Sequence, residues 1–311
     1  IIKDFMNILF AGTPNNAAQI LLYLANMKPF NIKGVLTQPD KKGKRGNDLI
    51  ESPVANAAKK YNFDVFKPEN LNSNNTKKTL GSLDIDFLVV IAYGKIIPSW
   101  LLELPKVSSI NVHFSILPKY RGASPIQSAL LNGDESSGIS IIKMSEDLDA
   151  GEILSSFNVR IDPEDNKLTL EKKLTNKSII ELPRTLDLMK SSKIVAKEQD
   201  HSNATYCKKI KKSDSVIDFN DTARNIINKF RAFYGWPGTS FIYKDIKIKI
   251  HGIEEAKIIT GDKPGTIYKF NKKGLFINTS DSVIVITHLQ FPNKNPISSL
   301  DAYNSNKEFF K

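Results

Sequence analysis

The sequence predicts an α/β protein in two parts, a parallel-sheet domain over residues 1–189 and a small C-terminal β-barrel domain over 206–311, joined by a polar connector at 190–205. Three observations carry this. At 311 residues the chain exceeds what one hydrophobic core usually serves. Apolar runs alternate with helix-patterned stretches through its first part. From about Thr205 onward the pattern changes to short, β-branched segments separated by turn residues.

The elements follow in order. Asn7–Gly12 (NILFAG) is a short apolar strand that ends in Gly-Thr-Pro, followed by the helix-patterned Ala17–Leu24 and a second strand at Ile32–Thr37. A helical stretch over Pro53–Tyr61 precedes apolar strands at Phe87–Ala92, Ser109–His113 and Gly138–Ile142. This alternation is that of a Rossmann-like parallel sheet covered on both faces. Because Gly-Thr-Pro is not the G-x-G-x-x-G fingerprint, no dinucleotide cofactor is predicted. Beyond the connector, Ala223, Ile226, Ile227 and Phe230 have amphipathic-helix spacing. The strands Thr239–Tyr243, Ile246–Ile250, Gly265–Tyr268, Gly274–Ile277 and Val283–Leu289 then suit a small OB-like barrel, a scaffold that often binds nucleic acid.

Composition narrows the function. Hydrophobic residues make up 41% and charged residues 25%, as in an ordinary globular protein. No run reaches the roughly 18 apolar residues of a membrane span, so no membrane partner is expected. The opening IIKDFMNILFAG lacks the parts of a secretory signal, Met6 is a candidate natural start, and a cytoplasmic location is expected. One cysteine, Cys207, and four histidines without ligand spacing imply neither an intramolecular disulfide nor a metal. The net charge of +11 is uneven: residues 1–200 hold 26 Lys and Arg against 23 Asp and Glu, whereas 201–311 hold 18 against 10. General compositional drift would give a basic chain too, but concentration in one third is the footprint of a domain that holds nucleic acid by its phosphates.

Asn111 and His113 lie two apart in a strand, hence on one face, just before the loop Phe114–Pro118. Ligands of open parallel sheets bind outside the carboxyl ends of the strands, where an amide and an imidazole would meet them. From spacing alone the more favoured reading is that Asn111 ties down a loop and His113 is a satisfied buried histidine. A carboxylate partner is available in the acidic loop Met144–Glu152, where either Asp147 or Asp149 could orient the ring and helix capping or plain solvation is the alternative.

The chain as a whole resembles the methionyl-tRNA formyltransferases, a family of folate-dependent formyltransferases. The resemblance runs from Phe10–Pro14 through Thr37–Asp40 to Trp236–Pro237. Its most specific segments are Ala92–Gly94, Ile110–His113, Ser115–Pro118, Tyr120–Gln127 and Leu148–Gly151. The resemblance implies transfer of the formyl group of 10-formyltetrahydrofolate to the amino group of methionyl initiator tRNA by a monomer without a metal. It puts catalysis on Asn111, His113 and Asp149, and folate binding on Ile91, Ala92, Tyr93, Gly94, Ser115, Ile116, Leu117, Pro118 and Asp147. The loop Asp40–Leu49 carries Lys41, Lys42, Lys44 and Arg45 and resembles the family's tRNA-inserting loop; as an isolated feature it would read as a solvated loop. Lys208, Lys209, Lys211 and Lys212 are further tRNA-binding candidates. Phe114 departs from the family, which carries a smaller residue there, and so does Asn15-Asn16. The alternatives are a 10-formyltetrahydrofolate hydrolase, a formyltransferase with a small amine acceptor, and a catalytically silent RNA-binding protein.

Overall fold

The computed structural model describes residues 5–43 and 48–311. The chain forms two compact units interleaved along the sequence. The first holds the chain up to Pro125, then Ser136–Arg160 and Glu171–Tyr206; the second holds Ile126–Glu135, Ile161–Leu170 and Cys207–Lys311.

The chain opens with β1 (Met6–Gly12), α1 (Asn15–Ala25) and β2 (Phe30–Leu36), followed by a two-stranded hairpin of β3 (Lys41–Lys42) and β4 (Leu49–Ile50). Next come α2 (Pro53–Lys60), β5 (Val65–Phe66), α3 (Asn74–Gly81), β6 (Phe87–Ile91), α4 (Ser99–Leu102) and β7 (Ser108–His113). Ser52 starts α2, its Oγ accepting the Ala55 N–H at 3.0 Å, with Pro53 supplying a pre-set φ in the first turn. After β8 (Arg121–Gly122) and α5 (Pro125–Leu131) the chain forms β9 (Ser136–Lys143), β10 (Ile153–Arg160) and the long α6 (Lys167–Lys190).

The first unit is built on a seven-stranded sheet of order β10-β9-β7-β6-β1-β2-β5. Along β1, Leu9 and Ala11 join Leu36, Leu88 and Val90 in one core cluster, while Ile8 and Phe10, pointing the other way, are also fully buried. Both faces are therefore covered, as a parallel sheet requires. The sheet is mostly parallel. The parallel run ends at β7, because β9 pairs with it antiparallel, His113 opposite Ser140 and Ile110 opposite Lys143. The chain leaves the carboxyl end of β7, makes the excursion 114–135, and re-enters beside the point where it left. β10 then pairs antiparallel with β9.

Asp86, 7% exposed, ties the start of β1 to the end of α6: its carboxylate accepts the Asn7 N–H at 2.9 Å and the Lys190 Nζ at 3.0 Å. Burial by itself would raise its pKa, but these hydrogen bonds outweigh burial and hold the carboxyl below its ordinary range. Its stabilisation is thus present above the unfolded carboxyl value of roughly 3.9 and disappears as pH falls through the lower folded value. Asp86→Asn is expected to cost about 1–2 kcal/mol at neutral pH, at the modest end for a charged hydrogen bond because Lys190 is partly solvated. It should also flatten the acid limb of stability. Urea midpoints measured from neutral pH down to acid check both, and equal pH dependence in variant and wild type would contradict the assignment.

Residues 190–205, expected from their polarity to be a connector, lie within the first unit. Ile153 and Lys197 exchange main-chain hydrogen bonds of 2.7 and 2.9 Å, and Gln199 is buried. Most of their side chains are exposed; main-chain pairing and the one buried side chain, Gln199, tie the segment to the first unit, which side-chain polarity does not reveal. The segment ends at β11 (Tyr206–Cys207), which pairs with β8.

The second unit carries α7 (Ala223–Ala232), capped by Thr222 Oγ1 on the Asn225 N–H at 3.1 Å. Then come β12 (Thr239–Tyr243), β13 (Ile246–Glu255), β14 (Ile267–Asn271), β15 (Gly274–Asn278), β16 (Val283–Gln290), β17 (Ile297–Ser298) and α8 (Ser299–Asn306). The strands form an antiparallel sheet of order β12-β13-β16-β15-β14, with β17 beside β16. Among the described residues no ladder joins β12 to β14. Ile248 and Ile250 of β13 enter the core with Phe241, Leu275, Ile277, Ile284 and Ile286, while the alternating Lys247 and Lys249 are exposed.

Candidate active site

Alternation along β7 buries Ile110 and Val112 on one face and turns Asn111 and His113 to the other. The loop between β9 and β10 brings Asp149 back onto this face. Asp149 Oδ1 accepts the Asn111 Nδ2–H at 3.2 Å; Oδ2 accepts the Gly122 N–H at 2.8 Å and lies 3.5 Å from His113 Nδ1. His113 is 6% exposed, and its Nε2 sits 2.8 Å from the Tyr120 carbonyl. A carbonyl only accepts, so Nε2 carries the hydrogen in this arrangement, and Nδ1 is the nitrogen left facing the carboxylate. Asn111, half-buried, retains one amide hydrogen after serving Asp149.

Asp149 adopts φ +52°, in the left-handed region. That turn distinguishes it from its acidic neighbours. Asp147 is exposed, and Glu146 accepts the Ser99 hydroxyl at 2.6 Å.

The loop after His113 is pinned from β9: Ser140 Oγ donates to the Ser115 carbonyl at 2.8 Å and accepts the Leu117 N–H at 3.0 Å. Ser115 Oγ donates to the Lys119 carbonyl at 2.6 Å. Phe114, Ser115 and Leu117 are buried, with Ile116 and Pro118 partly accessible. The other folate candidates, Ile91–Gly94, leave the sheet at the end of β6, next to Asn111, since Val90 pairs with Asn111. Ala92 and Gly94 are exposed, with φ of +46° and +80°, and flank the buried Tyr93. Small exposed residues around a main-chain turn, beside a buried apolar loop, are a donor set suited to a flat ring with amide-like edges.

Tyr93 is held by its carbonyl, which accepts from Thr13 Oγ1 at 2.8 Å and Gln38 Nε2 at 2.9 Å. Its hydroxyl is buried without a hydrogen-bond partner among the described residues, and burial pushes its pKa up to about 12. Removing an unpaired buried hydroxyl relieves its desolvation cost. Tyr93→Phe is therefore expected to leave stability unchanged or raise it by about 1 kcal/mol, read from the urea midpoint at constant slope. A loss of similar size would show that the hydroxyl has a use.

Of the basic candidates, Lys41 and Lys42 are exposed on β3, whereas Lys44 and Arg45 lie outside the described residues. The root of that hairpin is clamped by Lys67, whose Nζ reaches Asp40 and Glu51 at 2.7 Å each. These bonds outweigh burial and raise the Lys67 pKa. Lys208, Lys209, Lys211 and Lys212 are exposed.

Sequence reasoning missed four groups around the trio: the Tyr120 carbonyl, the Gly122 N–H, Arg121 and Gln199. Gln199 Nε2 donates to the carbonyls of Asp149 and Gly151 at 2.8 and 2.7 Å. The available signals were the segment Tyr120–Gln127, which carries the family resemblance, and within it Arg121, a charge followed by small or apolar residues from Gly122 to Ile126.

Comparison with known proteins matches residues 6–186 to the family described as Formyl transferase and residues 209–307 to Formyl transferase, C-terminal domain. The methionyl-tRNA formyltransferase of Thermotoga maritima is 40% identical over 299 residues, covering 96% of this chain and 95% of that protein. WlaRD, a sugar 3N-formyl transferase solved in the presence of dTDP and 5-N-formyl-THF, superposes with TM-score 0.69 at 19% identity over 94% of this chain and 99% of that one. A multiply substituted HypX from Aquifex aeolicus gives TM-score 0.64 at 15% identity over 99% of this chain, which spans about half, 49%, of that longer protein. At such identities the two structures speak to fold alone.

Proposed function

The chain belongs to the methionyl-tRNA formyltransferase family, and from that premise we propose that it moves the formyl group of 10-formyltetrahydrofolate onto the amino group of methionyl initiator tRNA, using Asn111, His113 and Asp149. The observation that carries the assignment of residues is one carboxylate, Asp149, engaged with Asn111 and Gly122 and facing the ring of His113.

The folate supplies the formyl group; residues 91–94 and 115–118, with Asp147, are the ones we assign to hold it. Attack by the substrate amine places negative charge on the formyl oxygen, and the free Asn111 amide hydrogen is suited to stabilise it. The amine must also lose a proton. His113 takes it on Nδ1, where the Asp149 carboxylate stabilises the charged ring, and returns it to the leaving nitrogen. No covalent enzyme intermediate is needed.

The tRNA is held, in this reading, by Lys41, Lys42, Lys44 and Arg45 and by residues 206–311, including Lys208, Lys209, Lys211 and Lys212. The excess of 18 basic over 10 acidic residues from 201 onward supports it, since phosphate contacts are mainly electrostatic. The reading includes a monomeric enzyme acting in the cytoplasm. No described helix is long and apolar enough to cross a membrane.

The test is formyl transfer from 10-formyltetrahydrofolate to methionyl initiator tRNA, run beside free methionine, uncharged tRNA and a water-only control. Product confined to the charged initiator tRNA is expected. Folate turnover without formylated tRNA would move the function to hydrolysis or to a small amine acceptor.

A further inference from the structure

Arg121 is among the largest fully buried side chains of the described residues, 2% exposed. The groups its guanidinium meets are neutral. Nε and Nη2 both donate to Gln199 Oε1, at 3.1 and 2.7 Å, Nη2 also lies 3.2 Å from His201 Nδ1, and Nη1 is 3.4 Å from the Tyr206 hydroxyl. A buried charge with neutral partners is a poor way to stabilise a fold, and an apolar side chain of similar volume would serve as well. Its presence calls for a directional role.

That role is visible one bond further on. An amide side chain can sit either way round, but a guanidinium has no acceptor and forces the Gln199 oxygen toward itself. The Gln199 Nε2 hydrogens are thereby aimed at the carbonyls of Asp149 and Gly151, at 2.8 and 2.7 Å. Asp149 sits at φ +52°, a conformation that a non-glycine residue keeps only when its surroundings hold it. The residue after Arg121 works on the same target from the other side, the Gly122 N–H donating to Asp149 Oδ2. Arg121 is itself fixed by its N–H on the Thr205 carbonyl at 2.8 Å.

We propose that Arg121 and Gln199 are positioning residues that hold Asp149 against Asn111 and His113, Arg121 by fixing the orientation of the Gln199 amide and Gln199 by bonding the loop on either side of Ala150. This rests on the proposed function of the trio. Misplacing a reacting group by about an ångström can cost roughly 100-fold in rate without altering substrate binding.

The decisive variant is Gln199→Glu. It keeps an oxygen for Arg121 but replaces both amide donors by an oxygen facing two carbonyls, so it should fold while releasing the loop. Expected are a kcat reduced about 10- to 100-fold, KM values for folate and tRNA within about threefold of wild type, and shifted ring ¹⁵N resonances of His113. Arg121→Lys, which keeps the charge but cannot fork, should lie between and serves if Gln199→Glu does not fold. Unchanged kcat and unchanged His113 resonances would overturn the proposal. So would a raised KM at unchanged kcat, which would make these residues substrate contacts, or losses of activity that track thermal stability, which would make them merely structural. A wild-type protein inactive toward every acceptor would instead defeat the proposed function, and the His113 resonances would still judge the positioning.

Discussion

Asp149→Asn is expected to lower kcat for formyl transfer by about 100- to 1000-fold while leaving tRNA affinity near wild type. The carboxylate uses both oxygens as acceptors, one for the Asn111 amide and one for the Gly122 N–H, and the second also faces His113 Nδ1. An asparagine has one oxygen to offer. Kept on Gly122, it turns an NH₂ toward the Asn111 NH₂, donor against donor; reversed, it sets that NH₂ against the Gly122 N–H. Either way the ring loses the negative charge that would stabilise a proton on Nδ1. Single-turnover rates at saturating folate, with tRNA binding measured separately, decide the matter. A change under about fivefold would show that Asp149 is dispensable to the chemistry.

Gly151→Ala should be the most damaging small substitution in the same loop. A Cβ at Gly151 would lie 1.9 Å from the Lys143 carbonyl oxygen and 3.0 Å from its carbon, and neither atom belongs to a side chain that can swing aside. The main chain there is also committed. Lys143 N–H donates to the Glu152 carbonyl at 2.9 Å, and the Gly151 carbonyl accepts from Gln199. The loop must move, at a cost of about 1–3 kcal/mol for overpacking, and Asp149 moves with it. A lower urea midpoint together with a kcat at least about tenfold down is the expected pair of results. Wild-type stability and turnover would mean that the loop has slack that these contacts do not suggest.

Much of the architecture was legible in the chain because burial has a period. The continuous apolar run Phe87–Ile91 is a strand buried on both faces, and the Ile-Lys alternation from Ile246 to Ile250 is a strand with one face in the core. The two-residue spacing of Asn111 and His113 likewise placed both on one face. Strand direction was not legible in the same way: β9 looks like its parallel neighbours in composition, and only the path of residues 114–135 makes it antiparallel. Nor could spacing choose between Asp147 and Asp149, since what selects Asp149 is a positive φ and an N–H from Gly122, neither of which leaves a local signature. Gln199, fifty residues beyond its target, looked like any polar residue of a connector.

The attachment of that segment to the first unit, through the Ile153–Lys197 main-chain bonds and Gln199, limits where the chain can be cut. A fragment ending at residue 189 keeps Asn111, His113 and Asp149 yet discards Gln199 and the Thr205 carbonyl that receives the Arg121 N–H. Such a piece keeps the Gly122 and Asn111 bonds to the Asp149 carboxylate and loses the two bonds that Gln199 makes to the main chain around it. Residues 190–206 therefore travel with the first unit, and because 126–135 and 161–170 belong to the second, no single cut of the chain separates the two.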